Sequence, residues 1–296
     1  MSLKSIYNRI VLNRWDIGFV ENSIDEILRG EELKIKYVKY LFKGRWYADP
    51  FILDYDDEII ILLVEDYSDS DKKGRISKLV INRKTMELEN VKIILELDSH
   101  LSFPAIIRKG EKIFIYPENS RGRGLVLYEY NQETETCHEV KQISDEPFAD
   151  AVITDFEGEE YLFSINGANP KKNTLEVWHK EVKQDKYELI QEIGFQEAIA
   201  RNAGDFFESN GQFYRVAQES NFTYGHALSI QRITKEGDII KMEEVRRLMP
   251  PGLSRFGMHT FNVYKDLIVV DLKVFRHPWF AVPLFRLRNL FKRNAR

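Results

Sequence analysis

Four acids in this 296-residue chain stand where a β-rich fold would bring them together: Asp49, Glu118, Asp150 and Asp205. Convergent carboxylates have a recognised use. Cleavage or transfer at a glycosidic bond needs one carboxylic acid to protonate the leaving oxygen and one carboxylate to act as base or nucleophile. Crowded like charges raise one of the two pKa values, so that group keeps its proton near neutral pH. The neighbours have suitable chemistry as substrate-binding candidates. Trp46, Phe103 and Tyr224 offer flat apolar surfaces, and Glu65, His100, Gln218 and His259 offer hydrogen bonds. Arg201 and Arg215 are expected to steer an anionic group or tune a carboxylate. A plainer role is open to each acid, since an aspartate at a strand start often bonds a turn amide.

The elements that must position these groups follow from a repeat. Five segments align: 48–52 (ADPFI), 102–106 (SFPAI), 149–153 (ADAVI), 203–207 (AGDFF) and 258–262 (MHTFN). Their second residues are Asp49, Phe103, Asp150, Gly204 and His259, at steps of 54, 47, 54 and 55 residues. Each segment leads into a polar turn and a second apolar run, such as 59–64 or 113–116, which reads as a hairpin. Third and fourth strands follow in most units. Four strands in roughly 50 residues is the spacing of a propeller blade. The expected fold is therefore all-β: a five-bladed propeller over residues 1–272, its first ~40 residues a lead-in. Residues 38–42 are expected to close the ring. Ser23 with Glu26 three residues on is read as the cap of one short helical turn. The first residues of all inner strands then face one another at one mouth of the central channel.

Composition narrows the function classes. Net charge is −4 and the pI about 6.0, unlike the basic domain of a nucleic-acid binder, so no nucleic-acid partner is expected. The single cysteine, Cys137, forms no intrachain disulfide and lies in a polar run. His100, His226 and His259 show no ligand spacing within one element, so neither metal nor cofactor is expected. The glycine-rich run 121–124 lacks the Lys-Ser/Thr of a phosphate loop and reads as a hairpin turn. No export signal or membrane span is read, so the protein is expected in the cytoplasm, peripheral at the inner membrane face. Residues 273–296 carry seven Lys or Arg and no acid, interleaved with aromatics and leucines. They read as a short basic amphipathic helix suited to an anionic membrane surface, or docked on the propeller or a partner subunit.

The motifs together resemble a known family. They comprise WYADPF at 46–51, VEDY at 64–67, KGRI at 73–76, HLSFP at 100–104, YPENS at 116–120, AD at 149–150, YLF at 161–163, ARNAG at 200–204, YRVAQ at 214–218, YG at 224–225, GMHT at 257–260 and VD at 270–271. The set is similar to the N-terminal domain of plant glucosamine inositolphosphorylceramide transferases. That domain lies in the five-bladed superfamily that includes family-43 glycoside hydrolases. The resemblance covers roughly residues 40–272 and implies a carbohydrate-directed propeller. It implies a general-base role for Asp49 and a pKa-tuning role for Asp150. The family-43 general acid is a Glu from a later blade, where this chain offers Asp205, with Glu118 coming from blade two. The expected function is glycosyl hydrolysis or transfer in surface-polysaccharide or glycolipid biosynthesis, on a carbohydrate or glycolipid substrate. The alternative is a non-catalytic glycan-binding module or scaffold beside a separate synthetic enzyme.

Overall fold

The computed structural model describes residues 13–40, 44–252, 255–275, 279–281 and 283. Blade one is β3 (Arg45–Tyr55), β4 (Ile59–Ser68), β5 (Lys73–Asn82) and β6 (Leu88–Leu95), paired in that order. Blade two is β7 (Ser102–Lys109), β8 (Lys112–Glu118), β9 (Leu125–Asn131) and β10 (Thr136–Ser144). Blade three is β11 (Phe148–Phe156), β12 (Glu159–Asn166), β13 (Thr174–Glu181) and β14 (Lys186–Gly194). Blade four is β15 (Phe207–Ser209), β16 (Gln212–Glu219), β17 (Ala227–Glu236) and β18 (Ile239–Leu248). The five-bladed propeller read from the repeat is the fold.

Blade five is built from both ends of the chain. β19 (Arg255–Gly257) and β20 (Phe261–Tyr264) pair with β21 (Leu267–Phe275), and β1 (Asn13–Val20) zips antiparallel along β21 from Asn13↔Phe275 to Val20↔Ile268. The closing strand is thus β1, earlier than expected, with β2 (Ile35–Tyr37) on its outside. Of the expected closure at 38–42, Val38 N–H bonds Ile17 O on β1 and Lys39 bridges to Glu87 of blade one; 41 and 42 lie outside the described residues. β1 is buried on both faces from Ile17 to Val20, with Ile17 and Phe19 in one apolar cluster and Val20 in another. Between β1 and β2, α1 (Ile24–Leu28) starts at Ser23 with a complete capping box to Glu26.

Burial follows the radial position of each strand. β3 is buried from Tyr47 to Leu53 on both faces, because neighbouring blades sandwich an inner strand. The outer strands β10 and β14 are largely solvated. Apolar clusters sit between blades rather than in one centre; Phe51, Leu63, Phe103, Ile115, Phe148 and Val152 belong to one that runs across blades one to three.

The inner strands are not straight. Pairing skips between Ala48 and Phe51, Ser102 and Ala105, and Ala149 and Val152. Each skip is a β-bulge, and its first residue is left-handed: Asp49 at φ 48°, Phe103 at 46°, Asp150 at 50°. Gly204, the blade-four counterpart, has φ 150°. A bulky residue in this region costs about 1–3 kcal/mol, so three at equivalent places must be held by their surroundings. The bulge turns each N–H out of its own blade. Of the tail, residues 279–281 and 283 are helical, with Trp279 and Phe280 exposed; 284–296 lie outside the described residues.

Candidate active site at the channel mouth

Carboxylates of neighbouring blades accept the three bulge N–H groups. Asp271 Oδ2 takes Asp49 N–H at 3.1 Å, Asp49 Oδ2 takes Phe103 N–H at 3.1 Å, and Glu118 Oε2 takes Asp150 N–H at 3.0 Å. The plainer role of these acids is therefore real: they tie blade to blade. In blade four Asn262 takes over, accepting Asp205 N–H at 2.7 Å.

The seam between blades one and five is the most heavily bonded part. Asp271, fully buried, accepts from the N–H groups of His259 (3.0 Å), Thr260 (2.9 Å) and Asp49, and pairs with His259 Nδ1 at 2.6 Å. Asp49 Oδ1 accepts the Thr260 hydroxyl at 2.9 Å and lies 3.6 Å from His259 Nε2. Burial alone would lower the His259 pKa, but Asp271 and Asp49 outweigh it and raise it, favouring imidazolium. Trp15 stacks on that ring at 3.7 Å and 8°. Burial, Asp271 and Asp150 raise Asp49 against the opposing pull of His259. Asp49, His259 and Asp271 hold ligand-type atoms within 4.8 Å of one another. A metal ion there would have to displace hydrogen bonds that already occupy both carboxylates and face both ring nitrogens.

Across the mouth, Asp150 has different partners. Its Oδ2 accepts Arg201 Nε at 2.6 Å and Gln218 Nε2 at 3.0 Å. Arg201 Nη2 lies 3.6 Å from Glu118 Oε2. Burial raises the Asp150 pKa to about 6 despite Arg201. The Arg201 guanidinium lies 5.5 Å from the centre of the Tyr224 ring, which is half exposed and edge-on to His259.

Register places Glu65 and Glu118 at equivalent points of their second strands, opposite Ala48 and Ser102, the residues just before the bulges. Blade three has Ile165 there and blade four Ala217. Glu65 is buried, with His100 Nε2 3.4 Å from its Oε1. His100 Nδ1 accepts the Gly74 N–H at 2.9 Å, so the ring proton faces Glu65. Burial and then Asp49 and Glu118 push the Glu65 pKa well above the carboxylate range, so Glu65 keeps its proton to higher pH than a free glutamate. Gly74 makes the room: a Cβ there would stand 2.4 Å from Leu101 O and 2.7 Å from Glu65 Oε1. Trp46 stacks on Tyr67 at 4.6 Å, and Tyr67 in turn meets His100 edge-on.

Three expected roles change. Asp205 sits one residue past Gly204, and the charge acting on it is Arg108 rather than the mouth acids; burial raises its pKa to about 7. Arg215 touches no carboxylate. Fully buried, it donates to Asn202 Oδ1, Gln231 Oε1 and the carbonyls of Ile199 and Ala200, and burial lowers its pKa to about 9. It braces blade four from behind. Phe103 is buried edge-on to Phe51 at 5.0 Å, and it offers the site its N–H rather than its ring. Asp271, Thr260 and Trp15 were absent from the sequence candidates. Extending the blade alignment from inner to second strands brings Asp271 within one position of Glu65 and Glu118. Trp15 carries no repeat signal, because β1 joins blade five from the other end of the chain.

Residues 36–262 match the family described as glucosamine inositolphosphorylceramide transferase 1, N-terminal. The chain is 29% identical over 230 residues to glucosamine inositolphosphorylceramide transferase 1 of Arabidopsis thaliana, covering 73% of this chain and 29% of that protein. The Oryza sativa subsp. japonica protein of the same name is 26% identical over 206 residues, covering 66% and 27%. The chain thus spans under a third of the plant proteins it matches. Among solved structures, a family-43 glycoside hydrolase from Xanthomonas citri in complex with xylotriose aligns with TM-score 0.55 and 11% identity, covering 79% of this chain and 88% of that one. A thermostable family-43 glycoside hydrolase aligns with TM-score 0.54 and 13% identity, covering 79% and 85%. At such identities the likeness is one of fold.

Proposed function

The chain belongs to the glucosamine inositolphosphorylceramide transferase N-terminal family, and from that premise we propose that it is a carbohydrate-directed propeller with a glycosidase-like site at its channel mouth. The observation that carries this reading is the electrostatic group formed by Asp49, Glu65, Glu118, Asp150 and Asp271. Within it, burial and then the neighbouring Asp49 and Glu118 push Glu65 toward its protonated form. A protonated acid beside ionised ones is what glycoside chemistry uses. In this reading Glu65 protonates the departing oxygen and Asp150 is the base, while Asp49 stays bonded into the seam. Arg201 and Gln218 hold Asp150 in place. Tyr224 and Trp46 supply faces for a sugar ring. The substrate class is a glycan or glycolipid headgroup of surface-glycan assembly.

A second reading, binding without turnover, is favoured by one observation. Blade four gives the mouth Arg201 and Gln218, while Asp205, the acid just before its inner strand, faces Arg108. The Asp150–Arg201 ion pair is also what a scaffold would display. A panel of p-nitrophenyl glycosides and the matching free sugars separates the readings. Turnover that Glu65→Gln removes supports the enzyme. Saturable sugar binding without turnover supports the binding module. Neither turnover nor binding across the panel would sink both.

A further inference from the structure

Asp150 is held by its backbone as well as by its carboxylate. Its bulge lifts residues 150 and 151 out of the ladder between β11 and β12, where pairing passes from Ala149↔Ile165 to Val152↔Phe163. The Asp150 carbonyl therefore needs a donor from elsewhere, and the left-handed φ of 50° needs something to hold it. Asn202 meets both needs. It lies between β14 and β15, at an isolated bridge to Ala217 of blade four, and is 1% exposed. Its Nδ2 donates to Asp150 O at 2.8 Å and to Phe163 O at 2.9 Å. The same residue reaches the carboxylate through Gln218. Asn202 O accepts Gln218 Nε2 at 3.0 Å, and that nitrogen also donates to Asp150 Oδ2.

The Asn202 amide sits only one way round. Its Oδ1 accepts Arg215 Nε at 2.7 Å, and a guanidinium has no acceptor to offer. The NH2 end faces two carbonyls, which have no donor. A lysine at 215 would also only donate, so it would leave the amide unchanged.

A second asparagine gives the contrast. Asn262, 3% exposed on β20, donates Nδ2 to Pro50 O at 2.8 Å and accepts Asp205 N–H at 2.7 Å. It too ties a bulge carbonyl of one blade to its neighbour. Pro50, however, follows Asp49, whose two carboxylate oxygens are already bonded into the seam. The two asparagines make the same kind of tie, and only Asn202 stands behind the carboxylate assigned as base.

We propose that Asn202 is a positioning residue that fixes the backbone of Asp150 so that its carboxylate is presented at the mouth, to Arg201, Gln218 and the sugar. Asn202 is closed off from the ligand and acts through Asp150. A left-handed residue whose carbonyl loses its donor is free to turn its peptide, and the carboxylate swings with it. This inference rests on the proposed carbohydrate reading.

The test is titration calorimetry of the full chain against a panel of mono- and oligosaccharides, with melting temperatures measured alongside. Asn202→Ala and Asn202→Asp both remove the NH2 donor, while only the second keeps an acceptor for Arg215. Each should weaken saccharide binding about tenfold or more per folded molecule. Asn262→Ala should lower the melting temperature as Asn202→Ala does, with affinity per folded molecule kept within about twofold. Combined with Asp150→Asn, Asn202→Asp should cost less than about threefold beyond the weaker-binding single variant, because both act through one carboxylate. Equal affinity losses at 202 and 262, wild-type affinity in Asn202→Asp, or fully additive losses in the double variant overturn the proposal while sugar binding itself stands. Should Asn202→Ala fail to fold, Asn202→Asp and the double variant decide. A folded wild-type chain that binds no saccharide overturns this inference together with the carbohydrate reading, and that outcome is told apart because it appears without any substitution.

Discussion

Asp49 and Asp150 occupy equivalent bulges of blades one and three, share a left-handed backbone, and were indistinguishable in the repeat. Their carboxylates nonetheless have different surroundings. Both oxygens of Asp49 accept hydrogen bonds, from Thr260 and from Phe103, and Asp271 bonds its N–H; the group is enclosed by the ring-closing seam. The bonds to Asp150 converge on Oδ2 alone, from Arg201 and Gln218, and Arg201 is a quarter exposed. The same motif therefore serves closure on one side of the channel and, on the other, holds an arginine that reaches solvent.

The largest effect that would break this contrast lies at the seam. Asp271→Ala strips the acceptor from three buried N–H groups and leaves His259 without its closest counter-charge. Losing a buried charged partner costs on the order of 3–5 kcal/mol, so chemical denaturation should show a collapse in stability or failure to fold. Asp49→Asn comes next. An amide cannot accept at both ends, so its NH2 group must face either the Thr260 hydroxyl or the Phe103 N–H. A loss of about 1–3 kcal/mol is expected in the same experiment. Asp150→Asn keeps an oxygen for both of its donors and should shift stability by less than about 1 kcal/mol. Equal losses at Asp49 and Asp150 would erase the distinction.

Asp205 sharpens the comparison from outside the mouth. Its folded pKa is raised from 3.8 to about 7. Between those values the folded state keeps a proton that the unfolded state has released, so this group lowers stability as pH climbs from about 4 to about 7. Asp205→Asn should flatten that stretch of the melting-temperature profile and leave the variant more stable than wild type at pH 7.5. An unchanged slope would place Asp205 in solvent. The smallest expected change is Arg215→Lys assayed for ligand. Since Arg215 bonds only neutral groups, the variant should lower the melting temperature while affinity per folded molecule stays within about twofold.

How much the sequence disclosed follows from what repeats. Blade number, hairpins, the Ser23 cap and the convergence of Asp49, Asp150 and His259 were legible, because strand periodicity and spacing are local properties. The bulges were not: a left-handed Phe103 has no composition signal, and tertiary bonds across blades hold it there. Asp205 and Arg215 were misjudged because a strand alternates faces, so a one-residue offset moves a side chain off the mouth. Trp15 and the closing strand β1 were hidden by distance along the chain, since pairing 13–20 with 268–275 is set by ring closure and not by any local pattern.

The central claim is that a sugar seats on the Asp150–Arg201 side of this mouth while Asp49 holds the ring together. Titration calorimetry of the intact chain against a panel of mono- and oligosaccharides, in wild type and Asp150→Asn, tests it most directly. The account predicts saturable binding of at least one saccharide, weakened tenfold or more in Asp150→Asn at an unchanged melting temperature. Saccharide binding that is indifferent to Asp150→Asn, or absent across the panel in a folded wild-type chain, would contradict it.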